Sequence, residues 1–157
     1  MDSAVKHGGS AAGAPAKPAA TSGARLATVV MFVRDLDASV RFYRELLAME
    51  VTVRDHSAAL LVGADADQLY LREIGPRSPH FLGNVGVQYV IWAAADIEDL
   101  RRCAQFLQEA SARVRTQTVD GITFVEGQDP SGLPVVVTFP GPDQTARHRI
   151  VGRIYNW

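Results

Sequence analysis

Four histidines and one cysteine are the side chains of this sequence that are best suited to nucleophilic, acid–base or metal chemistry. The histidines are His7, His56, His80 and His148, and the cysteine is Cys103. Their spacing does not match a Ser-His-Asp or Cys-His catalytic motif, and the sequence has no glycine-rich phosphate-binding loop. Histidines scattered over predicted turns, a linker and the two terminal segments are typical of solvated surface positions. We therefore interpret all four as surface residues.

A metal site built from His56, His80 and Glu73 stays open as an alternative, because these side-chain types are ordinary ligands of divalent ions. Their spacing does not require them to converge. Cys103 lies in a predicted helix, where a lone cysteine is typically a small packing residue. A single cysteine excludes an internal disulfide, which favours a reducing compartment and predicts a cytoplasmic location.

The bulk composition is that of one soluble globular domain. The chain has 157 residues, of which 47% are hydrophobic and 21% are charged. A formal net charge of −1 does not favour nucleic acid or an anionic membrane surface. No apolar run approaches the roughly 20 residues that a membrane-spanning helix needs. The sequence therefore predicts no nucleic-acid partner and no membrane partner.

The elements that would position a site form two copies of one pattern. Each copy has an apolar strand, an acidic turn, an amphipathic helix and three short strands. The turns at Asp35 and Asp96 stand 61 residues apart. The first copy predicts strands over 26–33, 51–54, 58–62 and 68–73, with a helix over 36–47. The second predicts strands over 87–94, 114–119, 122–126 and 133–139, with a helix over 96–110.

The repeat predicts an α+β fold of two βαβββ modules. Module one covers 26–74 and module two covers 86–140, within a folded domain over 25–141. Residues 1–24 are mostly Ala, Gly, Ser, Pro and Lys, which predicts a disordered arm, and 142–157 are a C-terminal tail. Helical spacing predicts two buried stripes, formed by Leu36, Val40, Tyr43 and Leu47 and by Ile97, Leu100, Ala104 and Leu107.

Two motifs indicate a family. One runs from Val33-Arg34-Asp35-Leu36-Asp37-Ala38-Ser39 into Phe42-Tyr43, and the other is Asp129-Pro130-Ser131-Gly132 before the last strand. With their order across both repeats, residues 26–141 resemble the vicinal oxygen chelate superfamily. That superfamily includes glyoxalase I, bleomycin-resistance proteins and extradiol ring-cleaving dioxygenases. The resemblance implies that the helices lie outside a curled mixed sheet enclosing a cavity, and that any chemistry takes place inside it.

The resemblance also implies positions for a divalent metal, held in superfamily enzymes by His, Glu or Gln on the first and last strands of each module. In this sequence those positions fall on Thr28, Tyr70, Tyr89 and Val136. None of these residues is a usual ligand for such an ion. The sequence therefore predicts that the inherited metal site is lost and that no metal or other cofactor is bound.

Strand alternation predicts which side chains line the cavity. The predicted ligand-binding residues are Thr28, Val30, Phe32, Tyr70, Arg72, Tyr89, Ile91 and Val136. Such an apolar and aromatic lining with a few hydroxyl groups suits a flat or lipophilic small molecule. The function predicted from sequence is metal-independent binding of a small aromatic or lipophilic molecule between the modules.

Two alternatives remain at this point. One is a glyoxalase-like lyase or ring-cleaving dioxygenase, which would need a divalent metal. The other is a non-catalytic module that dimerises, with the cavity filled by its own tyrosines. A second copy of the chain, forming a homodimer, stays open as a partner under each of these hypotheses.

Overall fold

The computed structural model describes residues 26–77, 79, 87–88, 90–111 and 113–141. The predicted arm over 1–24, the tail over 142–157 and Tyr89 lie outside the described residues. None of the helices in the described ranges has both the length and the apolar character to cross a membrane.

Module one contains four strands and one helix. In chain order these are β1 (Thr28–Val33), α1 (Leu36–Leu47), β2 (Glu50–Arg54), β3 (Ala58–Val62) and β4 (Gln68–Glu73). The strands form one sheet in the order β1-β4-β3-β2, in which β1 runs parallel to β4 and the other pairs are antiparallel. The predicted βαβββ order is confirmed, although β1 begins two residues later than the apolar run suggested.

Module two repeats this arrangement. Its elements are β5 (Val90–Ala93), α2 (Ile97–Ala110), β6 (Arg115–Val119), β7 (Ile122–Gln128) and β8 (Pro134–Phe139). They form a second sheet in the order β5-β8-β7-β6, again with one parallel pair between the first and last strands. The predicted α+β fold of two modules is therefore confirmed. The predicted curled mixed sheet is present as two separate four-stranded mixed sheets, one in each module.

Both helices begin at an aspartate that caps them. The Asp35 carboxylate accepts a hydrogen bond from the Ala38 amide at 2.8 Å, and Asp96 accepts from the Asp99 amide at the same distance. These bonds satisfy amides that have no partner within the helix. Glu73, at the end of β4, also accepts from the Leu36 amide at 2.9 Å. Strand and helix in module one are thus joined at the end where the acidic turn lies.

The helix-covered faces of the two sheets share one core. Leu61, Leu69 and Leu71 of module one are fully buried, and they belong to the same apolar cluster as Val125 and Val137 of module two. The helices also contact each other, because the Arg102 guanidinium of α2 donates to the carbonyl oxygens of the last turn of α1. The modules are therefore packed together on the helix side.

The predicted buried stripe of α2 is correct for Leu100 and Leu107 but wrong for Ile97, which is 41% exposed. Cys103 occupies the buried stripe and is 2% exposed. At 100° per residue, Ile97 projects about 90° away from the centre of the stripe formed by Leu100, Cys103 and Leu107. The stripe predicted from the apolar spacing is therefore rotated about the helix axis relative to the stripe that is buried in the structure.

Candidate functional site

A cleft of about 600 Å³ lies between the two modules. Its described lining comes from β1, β5, the residues before β5 and the start of β8. The lining residues are Leu26, Thr28, Val29, Val30, Met31, Phe32, Val87, Gln88, Val90, Ile91, Leu133 and Pro134. All twelve are electrically neutral, and ten of them are apolar. The volume is within the range of about 300–1,000 Å³ that is typical of small-molecule sites.

The cleft follows the edges of the first strands. Five consecutive residues of β1, Thr28 to Phe32, line it. Successive side chains of a strand point to opposite faces of its sheet, so a cavity that touches all five lies along the edge of the strand. Both β1 and β5 stand at an edge of their sheet. Backbone amides and carbonyls on a strand edge are open to hydrogen bonding, so both walls offer neutral polar groups.

Four residues of the predicted ligand-binding set lie in this cleft: Thr28, Val30, Phe32 and Ile91. Val30 and Phe32 are 61% and 59% exposed. Val30 and Phe32 lie on one face of one strand, and contiguous exposed apolar patches of this kind often mark binding sites. These two residues form the exposed apolar wall that module one contributes.

The structure does not bring the other predicted residues into the described lining. Tyr70 is half-buried beside Val30 in the strand register, and Arg72 is exposed beside Phe32. Val136 is 4% exposed and packs in a separate apolar cluster of module two. Tyr89 falls outside the described residues.

Sequence reasoning missed several residues of the lining. They are Leu26, Val29, Met31, Val87, Gln88, Val90, Leu133 and Pro134. Alternation alone excludes Val29 and Met31, because they belong to the helix-facing side of β1. No sequence pattern identified them, because the position of β1 and β5 at a sheet edge is a property of the folded sheets.

Thr28 is one of the two polar side chains in the described lining. Its hydroxyl donates to the side-chain oxygen of Gln68 at 2.8 Å, across the parallel pair of β1 and β4. A hydroxyl has one proton to donate and two lone pairs that accept. Thr28 therefore keeps the capacity to accept a hydrogen bond in an otherwise apolar part of the wall.

The described residues at the family's metal positions offer no usual ligand for a metal ion. Val136 has no donor atom and is buried among Ile122 and Phe124. Thr28 uses its hydroxyl proton on Gln68, and a neutral hydroxyl is a weak ligand for a divalent ion. In the described ranges, no group of three His, Cys, Asp or Glu side chains converges.

The alternative metal set is not assembled either by the described residues. His56 is exposed in the turn between β2 and β3, whereas the Glu73 carboxylate caps α1 by accepting from the Leu36 amide. His80 lies outside the described residues.

The Asp-Pro-Ser-Gly motif joins the modules and positions one end of the cleft. The Asp129 carboxylate accepts from the Ser131 and Leu133 amides at 2.8 Å each, and from the Tyr43 hydroxyl of α1 at 3.0 Å. Ser131 in turn accepts from the backbone amide and the guanidinium of Arg34, at the end of β1. Leu133 is thereby held at the cleft, where it is part of the lining.

Two side chains in the buried interface between the modules have a pKa that burial raises, Tyr43 and Cys103. Burial raises the pKa of Tyr43 well above its ordinary value, and the neighbouring negative charge of Asp129 raises it further. Burial also raises the pKa of the Cys103 thiol to about 11. Cys103 donates to the Leu46 carbonyl at 3.2 Å. A buried neutral thiol is a poor nucleophile, which agrees with the packing role expected from the sequence.

Comparisons with known proteins support the resemblance. The chain is similar to a glyoxalase/bleomycin resistance protein/dioxygenase domain from Frankia sp. EAN1pec, with 22% identity over 74% of this chain and 98% of that one, and a TM-score of 0.65. A lactoylglutathione lyase from Agrobacterium tumefaciens is 20% identical over 78% of this chain and 95% of that one, with a TM-score of 0.57.

A third solved structure, titled oxidase ChaP-H2, is 16% identical over 75% of this chain and 94% of that one, with a TM-score of 0.58. At these identities the solved structures show a common fold. A search of curated protein sequences found no significant match. The model of the glyoxalase/bleomycin resistance protein/dioxygenase superfamily matches residues 25–137. The chain belongs to that superfamily.

Proposed function

We propose that this chain binds a small aromatic or lipophilic molecule in the cleft between its modules, without a metal ion. The observation that carries the proposal is the apolar cleft itself, whose β1 wall exposes Val30 and Phe32 by 61% and 59%. A flat apolar molecule that covers this wall would remove apolar surface of both the wall and the molecule from water. This burial stabilises the complex by roughly 25 cal/mol per Å² of apolar surface.

The metal-independent part of the proposal is supported by the residues at the family's metal positions. The described ones are Thr28, Tyr70 and Val136, which offer two neutral hydroxyls and an aliphatic side chain. These groups suit orientation and packing of an organic molecule better than coordination of a divalent ion. A lyase or dioxygenase that needs such an ion is therefore the less favoured function.

The test is a fluorescence titration of the full chain with N-phenyl-1-naphthylamine, a neutral aromatic probe that brightens in apolar surroundings. We expect saturable binding that is unchanged by chelator treatment. Val30→Asp places a charge in the cleft and should weaken binding about tenfold or more. Val53→Asp is a matched control, because Val53 on β2 is also 61% exposed but is not part of the described lining.

Three results would count against the proposal. Equal losses in the two valine variants would mean that the probe binds elsewhere on the surface. Stoichiometric Fe, Mn, Ni or Zn whose removal abolishes an activity would favour the lyase or dioxygenase alternative. A full chain that no neutral aromatic compound binds or thermally stabilises would favour the non-catalytic, dimerising module.

A homodimer and a cytoplasmic location are further parts of the proposal that come from the sequence alone. Light scattering on the full chain measures the oligomeric state directly, and a monomer at all concentrations would remove the dimer from the proposal.

A further inference from the structure

The walls of the cleft are uniform in charge. Ten of the twelve described lining residues are apolar, and the other two, Thr28 and Gln88, carry a neutral hydroxyl and a neutral amide. An ionised group that leaves water for such a wall loses hydration and finds no opposite charge among these side chains, which is strongly unfavourable. An uncharged molecule avoids this penalty and still gains from burial of its apolar surface.

Two arginines of the described part of module one lie towards one end of the β1 wall. Arg72 is exposed and stands beside Phe32 in the strand register. Arg34 follows the end of β1, and its guanidinium donates to the Ser131 carbonyl at 2.9 Å. Thr28 lies four residues before Phe32, a distance of roughly 13 Å along a strand. A charged ligand group that lies beside Thr28 is therefore too far from Arg72 to form an ion pair with it.

The hydrogen bond of Thr28 determines what this end of the cleft can recognise. The hydroxyl proton is donated to Gln68 at 2.8 Å, so the Thr28 oxygen can offer a bound molecule only its lone pairs. A ligand group that meets this oxygen must then be a donor, such as a phenol O–H or an amine or amide N–H.

From the neutral lining and the Thr28–Gln68 hydrogen bond, we propose that the cleft selects an uncharged aromatic molecule with a hydrogen-bond donor that Thr28 accepts. This inference rests on the proposed binding function and adds the charge and the polar group of the ligand. Thr28 is then the residue that orients the ligand along the β1 wall, and the surrounding apolar side chains supply most of the affinity.

The charge is tested with two probes that share one skeleton. N-phenyl-1-naphthylamine is neutral and carries one N–H group, and 5-anilino-1-naphthalenesulfonate adds a sulfonate to the same rings at a position away from that N–H group. We expect the sulfonate to bind the full chain at least about tenfold more weakly. Both probes are also titrated against Arg72→Gln, which removes the nearby cation without altering the described lining.

The donor is tested with a pair of substitutions at Thr28. Thr28→Val keeps the shape and the strand preference of the side chain but removes the hydroxyl, and should weaken the neutral probe about threefold to tenfold. Thr28→Ser keeps the hydroxyl and should bind within about twofold of the original chain. Unfolding curves of both variants show whether the fold is retained. If Thr28→Val unfolds, the original chain is titrated with N-methyl-N-phenyl-1-naphthylamine, which lacks the N–H group and should bind about threefold to tenfold more weakly.

The outcomes separate this inference from the proposed function. If the sulfonate binds as tightly as the neutral probe, the charge assignment is overturned, and loss of that binding in Arg72→Gln would trace it to Arg72. Unchanged affinity in a folded Thr28→Val chain, or equal affinity for the N-methylated probe, overturns the donor assignment. If neither probe binds, the proposed function itself fails. A weaker sulfonate together with a Thr28→Val loss that Thr28→Ser reverses supports the inference.

Discussion

The two modules share one fold but differ in the face that each sheet turns away from its helix. In module one, this open face includes Val30 and Phe32, which are 61% and 59% exposed. In module two, the corresponding face includes Phe124 and Val136, which are 5% and 4% exposed and pack with Ile122. The open face of module one exposes apolar side chains that a ligand can cover, whereas the apolar side chains on the corresponding face of module two pack against one another.

The difference comes from where each module carries its bulky residues. The strand registers show that Phe32 and Ala93 hold equivalent places beside the last strand, since Phe32 pairs with Arg72 and Ala93 with Thr138. Phe124 is paired with Thr138, whereas Arg72 is paired with Ala58. The large ring is thus on the edge strand of module one but on an inner strand of module two.

This position decides whether a ring is buried or available. A ring on an inner strand is surrounded by neighbours on both sides, and a ring on an edge strand has neighbours on one side. A duplicated fold can therefore keep its core in both copies while only one copy supplies an exposed wall. The cleft is built asymmetrically from two similar units.

The largest expected effect compares two phenylalanines. Phe124→Ala should lower the free energy of unfolding by about 3–5 kcal/mol, because it removes a buried ring from the cluster of module two. Phe32→Ala should change it by less than about 1 kcal/mol, but should weaken binding of a neutral aromatic probe by about 0.5–1.5 kcal/mol. Urea unfolding and probe titration measure both. Equal losses of stability would show that the two faces do not differ in the way described.

A smaller effect is expected from two tyrosines of module one. Tyr43→Phe removes the hydroxyl that donates to buried Asp129 of module two, and should cost about 1–3 kcal/mol of stability because the carboxylate loses a partner. Tyr70→Phe is the matched control, since Tyr70 is half-buried on the open face. We expect it to change the urea midpoint little. A large loss in Tyr70→Phe would place that hydroxyl in the structural framework.

The smallest effect concerns pH and the residue pair Phe42 and Cys103, which the repeat places at equivalent positions. Phe42 does not titrate, but burial raises the pKa of Cys103 to about 11 from 9.0. The thiol therefore ionises first in the unfolded chain. The free energy of unfolding is unaffected by the thiol well below pH 9, and it falls as the pH rises from 9 towards 11. The loss should reach about 1 kcal/mol near pH 10.

Urea unfolding at about pH 8 and about pH 10 measures this loss in the original chain and in Cys103→Ala. The variant should lack the thiol's share of the decline, and a residual decline above pH 10 is expected from Tyr43, whose pKa is also raised. An identical pH dependence in both proteins would contradict the assignment to Cys103.

Much of the fold could be predicted from local patterns. The aspartate caps at Asp35 and Asp96 and the strands over 58–62 and 68–73 were predictable because capping and alternation depend on residues close in sequence. The candidate site was predictable in part, since Thr28, Val30, Phe32 and Ile91 lie in the cleft. Val29 and Met31 were missed because lining along a strand edge does not follow alternation.

The two βαβββ modules follow from local properties of the chain, which are the 61-residue repeat, the caps and the apolar spacings. The way in which the modules meet depends on contacts between residues that are far apart in the chain. The hydrogen bond from Tyr43 to Asp129 joins residues 86 positions apart, and the exposure of Phe32 beside the burial of Phe124 depends on which neighbours each strand receives. Such long-range contacts follow from packing of whole elements, and no local pattern specifies them.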